Sequence, residues 1–349
     1  MADDVDDILL KEILEQPTVI NRFFQEKNEL VSDISHKLRG QFEYIVIAAR
    51  GTSDNAARYA QYLLGSYNDF QVALATPSLF TIYQTPPRLN NALVIGISQS
   101  GQSPDIVSVL KTAQEQGGNT LAITNDEKSP LAGAADYVIP LGAGQEKAVA
   151  ATKTYSASLA ALALLSTHMA NDNDRLRDLL TLPEKLSETM DLLSDVMDQT
   201  SRYRYMDHCV VLGRGFNYST AYEIALKIKE LTRVITVPYS SADFSHGPIA
   251  TVNKGFPIIV IAPSGKMFNH IVAFSKDIIK LGAELITISD KEELLDLGVT
   301  KFRLSNDVPE WLSPINAIIP GQLFARQLAN EKGLDLDNPE GLTKVTETF

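Results

Sequence analysis

Short apolar runs alternate with amphipathic stretches over most of this chain, and that rhythm predicts strands alternating with helices. The opening, residues 1 to about 40, lacks strand-like runs and reads as helical, broken at Gln16-Pro17 and carrying apolar Val19, Ile20, Phe23 and Phe24. A strand at 44–49 then leads through Arg50-Gly51-Thr52-Ser53 into a helix beginning near Asn55. A short strand at 72–75 and a helical turn after Pro77 come before the apolar run 92–97. The helix expected at 104–116 has Ser103 placed as N-cap and Pro104 at its first position, and Gly117-Gly118 mark its end. Runs at 121–124 and 137–139 complete five strands alternating with helices, the signature of a parallel sheet covered on both faces. Residues 152–201 are helical in pattern, with a polar break at Asn171-Asp172-Asn173-Asp174.

The strand–loop–helix rhythm then returns in register. Arg214-Gly215 follows Arg50-Gly51, Ser264-Gly265 follows Ser100-Gly101, and Gly282 follows Gly118, each by 164 positions. Apolar runs at 208–212, 258–262 and 285–288 answer those at 44–48, 93–97 and 121–124. One offset shared by three glycine landmarks implies two copies of one α/β domain.

Composition narrows the classes of function. A chain of 349 residues accommodates two domains, and 44% hydrophobic with 21% charged residues is ordinary for a globular protein. The net charge of −12 argues against a sequence-independent grip on nucleic acid, and leaves any anionic ligand to be held by local dipoles. Cys209 is the single cysteine and sits in an apolar strand pattern, which suits a buried residue in a reducing compartment. The acidic start (Asp3, Asp4, Asp6, Asp7) predicts no signal peptide, and the most apolar helix, 159–165, is too short to span a bilayer. The expectation is a cytoplasmic protein with no membrane or nucleic-acid partner.

Candidate chemistry gathers at four places. Ser98-Gln99-Ser100-Gly101-Gln102-Ser103 feeds a helix N-terminus with hydroxyls around a glycine, an arrangement that either caps a helix or holds an anion such as phosphate. The second copy has Ala262-Pro263-Ser264-Gly265-Lys266-Met267 there, so three potential donors are gone and the first copy alone is expected to hold the anion. Glu223, Lys227 and Glu230 fall within about 60° of one helix face, opposite Ala221, Ile224, Ala225, Ile228 and Leu231. From periodicity alone they read as a solvated salt-bridge ladder. His246, just before Gly247-Pro248, belongs to a tight turn and is either a backbone-bonded turn residue or a proton-transfer group. Lys344 lies in a C-terminal stretch without periodicity and would ordinarily pass as solvated. His36, His168, His208 and His270 show no metal-ligand spacing with one another or with Cys209, and no metal or other cofactor is expected.

The combination of Arg50-Gly51-Thr52-Ser53, the loop 98–103, Ala150-Ala151-Thr152-Lys153, Leu212-Gly213-Arg214-Gly215, the helix 223–230, His246-Gly247-Pro248 and the Lys344 tail resembles the tandem sugar-isomerase (SIS) domains that form the isomerase half of glucosamine-6-phosphate synthase. Without the glutaminase domain and its terminal cysteine, the pattern is most similar to the SIS-type glucosamine-6-phosphate deaminases. The resemblance implies two tandem doubly wound, flavodoxin-like domains: an N-terminal helical segment (1–34), a phosphosugar-binding domain (35–170), a helical connector (171–202), a second domain (203–339) and an active-site tail (340–349). It implies substrate contacts from Gly51, Thr52, Ser53, Ser98, Gln99, Ser100, Gly101, Ser103, Val149 and Thr343. It gives proton transfer between C2 and C1 to Glu230, ring opening to His246, and a place beside the sugar to Lys344, with Lys227 accompanying Glu230. In this family the histidine reaches the neighbouring subunit's site, which implies a homodimer acting on a phosphorylated amino sugar. Two departures, Gln102 for glutamate and Ala151 for serine, loosen the identity of the sugar, whereas Arg50 for cysteine looks minor. A fructosamine-6-phosphate deglycase, another phosphosugar aldose–ketose isomerase, or a non-catalytic sugar-phosphate sensor are the alternatives.

Overall fold

The structure, a computed structural model, describes residues 7–193, 197–337, 339, 341, 343 and 344. The four aspartates that bear on the signal peptide thus lie in part, and most of the tail 340–349 lies, outside the described residues. The chain forms two compact units, each discontinuous in sequence. One comprises Thr18–Glu146, Lys153–Leu180 and Thr343–Phe349, the other Met1–Pro17, Lys147–Thr152 and Thr181–Leu342. The division between Leu180 and Thr181 falls inside the helix Asn173–Leu192, not at the polar break that precedes it.

In the first unit, β1 (Tyr44–Ala48), β2 (Val72–Leu74), β3 (Ala92–Ser98), β4 (Asn119–Thr124) and β5 (Tyr137–Pro140) form one parallel sheet in the order β2-β1-β3-β4-β5. Every residue of β3 is buried, as expected for a central strand covered on both faces. One face packs Val46, Ala48, Val94 and Ala122 against Ile106, Val109 and Leu110 of the helix Pro104–Glu115. The helix Lys153–Ala170 is apolar almost all round and buried along nearly its whole length, which is why its pattern reads as the most hydrophobic in the chain.

In the second unit, β6 (His208–Gly213), β7 (Ile235–Ser240), β8 (Phe256–Ile261), β9 (Ala283–Ser289) and β10 (Thr300–Arg303) are again all parallel, in the order β10-β9-β8-β6-β7. Read from the other edge, this is the strand order of the first sheet, so both copies are doubly wound and flavodoxin-like. The helix Tyr218–Thr232 packs between β6, β7 and a long helix, Ser313–Glu331, that is buried along most of its length despite an internal proline, Pro320. Cys209 is buried in β6, where removal from water pushes its thiol up to about 12.

Candidate functional site

The strand order reverses at β1 and β3, and in such sheets the loops leaving these two strands open a crevice at their carboxyl ends. The two loops are Arg50–Ser53 and Ser98–Ser103, both leading into helices, Thr52–Asn68 and Pro104–Glu115. Two helix N-termini, each a concentration of unsatisfied N–H groups and positive dipole, therefore lead from one place. Gly51, Thr52, Ser53, Ser98, Gln99, Ser100, Gly101 and Ser103 all belong to this region.

Within the second loop, the Gly101 N–H donates to Ser98 Oγ at 3.1 Å and the Gln102 N–H to Ser100 Oγ at 3.3 Å. Both hydroxyls keep their own protons to donate. Gly101 adopts φ +63°, and a Cβ there would come within 2.1 Å of Ser129 Oγ, so only glycine permits the turn. Ser103 occupies the N-cap position with Pro104 following, but its hydroxyl makes no capping bond. The cap reading of these serines therefore fails for Ser103, whose side chain does not serve the helix it precedes. The Arg50 guanidinium pairs with buried Asp105 at 2.8 Å and ties the loop after β1 to the helix after β3. Arg50 is thus less incidental than its sequence comparison implied.

The helix Tyr218–Thr232 overturns a second expectation. Glu223 and Lys227 do not form an exposed ladder: their side chains are 0% and 1% exposed, with Lys227 Nζ 3.4 Å from Glu223 and 2.5 Å from Glu230. Glu230 alone of the three reaches solvent, at 23% exposure. A lysine desolvated between two carboxylates is costly to bury and contributes little to stability. The arrangement leaves one carboxylate oxygen-rich and open, with a cation fixed beside it. This is the form a proton-transfer group takes.

His246 ends the short helix Ser241–Ser245, its N–H donating to the Asp243 carbonyl at 3.0 Å, and the following Gly247 turns the chain at φ +129°. The ring is exposed. It follows β7, at the carboxyl edge of the second sheet, whereas the helix bearing Glu230 runs back from that edge. Glu230 is its thirteenth residue, about 18 Å along the axis at the usual rise per residue. One chain therefore sets Glu230 and His246 toward opposite edges of the sheet.

Lys344 is not the free lysine of a frayed end. Its Nζ lies 2.8 Å from Glu146, whose carboxylate is fully buried and also accepts from the Thr154 N–H at 3.1 Å and the Thr154 hydroxyl at 2.9 Å. Thr343 precedes it and is exposed. Val149 is half-buried in the segment Lys147–Thr152, where buried Glu12 accepts from the N–H groups of Lys147 (2.6 Å) and Ala148 (3.2 Å). Glu146, Asp105 and Glu12 escaped the sequence reading. Each is a single carboxylate that no motif marks, and the side-chain or loop partner that gives it a place lies 8 to 198 positions away.

Among the described residues, no group of three or more His, Cys, Asp and Glu side chains could hold a metal ion, and no helix is long and apolar enough to cross a membrane. Compared with known proteins, the SIS domain matches residues 41–168, which hold all five strands of the first sheet, and 204–293, which hold β6 to β9 of the second. The chain belongs to the SIS-domain family. Its two SIS domains are 32% identical over 339 residues to glutamine–fructose-6-phosphate aminotransferase (isomerizing) of Aquifex aeolicus, a match covering 97% of this chain but 57% of that protein. The chain thus spans less than two thirds of the relative it matches. Among solved structures, the C-terminal domain of glucosamine-fructose-6-phosphate aminotransferase from Francisella tularensis superposes with a TM-score of 0.86 at 26% identity, covering 96% of this chain and 99% of that one. Glucosamine-6-phosphate deaminase from Thermotoga maritima shares the fold, with a TM-score of 0.79 at 22% identity over 98% of this chain and 100% of that one.

Proposed function

We propose that this SIS protein is an aminosugar-phosphate deaminase and isomerase that converts glucosamine 6-phosphate and water to fructose 6-phosphate and ammonia. The observation that carries the reading is the buried Glu223–Lys227–Glu230 group, whose outermost carboxylate alone is exposed. The loop hydroxyls of Ser98, Ser100 and Ser103, with Ser53 and Thr52, anchor the phosphate. His246 assists opening of the pyranose, Glu230 takes the C2 proton and returns it to C1, and the amino-aldose becomes a 2-imino-ketose. Water adds to the imine carbon and ammonia leaves. Lys227, with its ammonium 2.5 Å from the carboxylate, holds Glu230 in place, and Lys344, held by Glu146, stands beside the sugar with Thr343 and Val149. Proton transfers and imine hydrolysis need no redox change.

The active unit is a homodimer in which His246 serves the neighbouring subunit, a reading supported by the separation of His246 from Glu230 along the helix within one chain. Mixing Glu230→Gln and His246→Ala subunits should restore up to about a quarter of the wild-type activity, because half the dimers are mixed and each has one complete site. No recovery above the separate variants would reject the shared site.

The reading is tested by ammonia release from glucosamine 6-phosphate against galactosamine 6-phosphate and fructoselysine 6-phosphate. Release from glucosamine 6-phosphate supports it, and no ammonia from any amino sugar phosphate sinks it. Gln102 and Ala151, the two departures near the substrate, favour one second reading, a fructosamine-6-phosphate deglycase, which fructoselysine 6-phosphate would reveal.

A further inference from the structure

Arg50 belongs to the loop that leaves β1, and Asp105 is the second residue of the helix that follows the loop 98–103. Their ion pair, Arg50 Nε to Asp105 Oδ2 at 2.8 Å, sets the guanidinium between the two loops of the switch-point crevice. The partners differ sharply in exposure: the Asp105 side chain is 1% exposed and that of Arg50 51%. The other oxygen of Asp105 accepts from the Ile106 N–H at 2.9 Å, so the acid is fixed from two sides. Only Nε of the guanidinium is engaged, and among the described residues its two Nη groups make no hydrogen bond. As a stability device such a pair is weak, because half of the cation stays in water. As an orienting device it is strong, because a buried acid holds Nε and leaves free the Nη fork that suits a phosphate.

The duplicated frame supplies an internal comparison. Arg214, 164 positions after Arg50, keeps the cation, but exposed Asn269 stands where Asp105 would be. The buried acid that orients the arginine is therefore confined to the copy that also keeps Ser98, Ser100 and Ser103. A strut needed by the fold would be wanted in both frames.

We propose that Arg50, aimed by Asp105, is a further ligand of the substrate's phosphate and gives the crevice its selectivity for a dianion. The inference rests on the reading that the loops 50–53 and 98–103 hold that phosphate. It adds a positive charge to a site otherwise built of neutral hydroxyls and N–H groups, in a chain whose net charge of −12 repels anions. The synthase pattern has cysteine at position 50, so this contact is one that the resemblance does not supply. Asp105 is a positioning residue, acting on the phosphate only through Arg50.

The test is calorimetric titration of the full chain with inorganic phosphate and with sorbitol 6-phosphate, a phosphorylated polyol that has no ring to open and no amine to lose. Arg50→Ala should raise the Kd of both by about tenfold or more, the worth of one charge-assisted contact. The affinity of the variant should also fall less steeply with added salt. Asp105→Asn should weaken binding in the wild type and add nothing in Arg50→Ala. Equal losses in both backgrounds would overturn the positioning role. A folded Arg50→Ala that binds within about twofold of wild type would overturn the proposal and leave the phosphate reading of the crevice standing. Wild-type protein that binds neither probe would overturn that reading and this inference with it. If Arg50→Ala does not fold, Arg50→Gln, which keeps a donor for Asp105 without the charge, is read in the same way. Unfolding of both variants would make Arg50 a strut and overturn the proposal.

Discussion

The two copies of the SIS domain share strand order, glycine landmarks and a loop-to-helix junction at the same point of the sheet, yet they treat the junction in opposite ways. In the first, Ser98 and Ser100 bond within the loop, and Ser103 leaves the helix it precedes without a side-chain cap. In the second, Asp290 and Glu310 take the N–H groups of Ser264, Lys266 and Met267. The helices after β1 and β6 differ in the converse sense. The helix Thr52–Asn68 begins with Thr52 and Ser53 beside the loop, and Tyr218–Thr232 carries a desolvated lysine between two glutamates. Duplication supplied two identical frames. On the proposed reading, divergence made one the anion holder and the other the bearer of the acid–base group.

Four substitutions and one chemical probe strain this division, in descending order of expected effect. Glu230→Gln should lower kcat by roughly 10²- to 10⁴-fold while substrate still binds, the size expected for a lost general base. Turnover within about threefold of wild type would take the chemistry away from the second copy. Replacing Ser98, Ser100 and Ser103 together by alanine should raise KM by about 10²-fold or more, because each hydrogen bond to a charged group contributes roughly 1.5–3 kcal/mol. If kcat fell instead and KM held, the loop would act in the chemical step and not as the phosphate anchor.

Glu146→Gln removes the charge opposite Lys344 but keeps an acceptor for Thr154. It should reduce kcat about tenfold, the worth of one weakened charge-assisted bond, and should make the chain easier to cleave beyond Gly341 in limited proteolysis. Ser264→Ala is the mirror experiment: the unfolding free energy should drop by about 1–3 kcal/mol as Asp290 loses a donor, measured by urea denaturation, with KM unchanged. A KM shift there would mean that the second loop also meets substrate. Finally, Cys209 should resist alkylation at neutral pH until the second domain opens, since burial pushes its thiol up to about 12. The sign follows from that direction: the unfolded thiol ionises first, so this contribution to stability is complete below its ordinary value of 9.0 and is lost as pH rises toward 12. Rapid labelling of the folded protein would contradict its burial in β6.

Much of the architecture was legible without coordinates. The strands predicted at 44–49, 92–97, 121–124 and 137–139 differ from β1, β3, β4 and β5 by no more than two residues at either end. The helix break at Asn171–Asp174 separates Lys153–Ala170 from Asn173–Leu192. Buried parallel strands write themselves as continuous apolar runs, and turns as glycine, so both are local signals. The hydroxyl-rich loop 98–103 was legible for the same reason, because its donors are contiguous.

The rest depended on packing. Periodicity correctly set Glu223, Lys227 and Glu230 on one helix face but could not say what lies over that face, and burial turned a solvated ladder into a constrained ion triad. Lys344 acquires its partner 198 positions away, and Glu310 reaches loop N–H groups 43 and 44 positions away. The sequence by itself determined the two copies, their strand order in kind, and which of them retained the hydroxyl donors. Tertiary structure alone decided which carboxylates are buried against a cation, which take loop N–H groups and which stay open to solvent, because a carboxylate's environment follows from its desolvation and its partners, and both are set by chain segments distant in sequence.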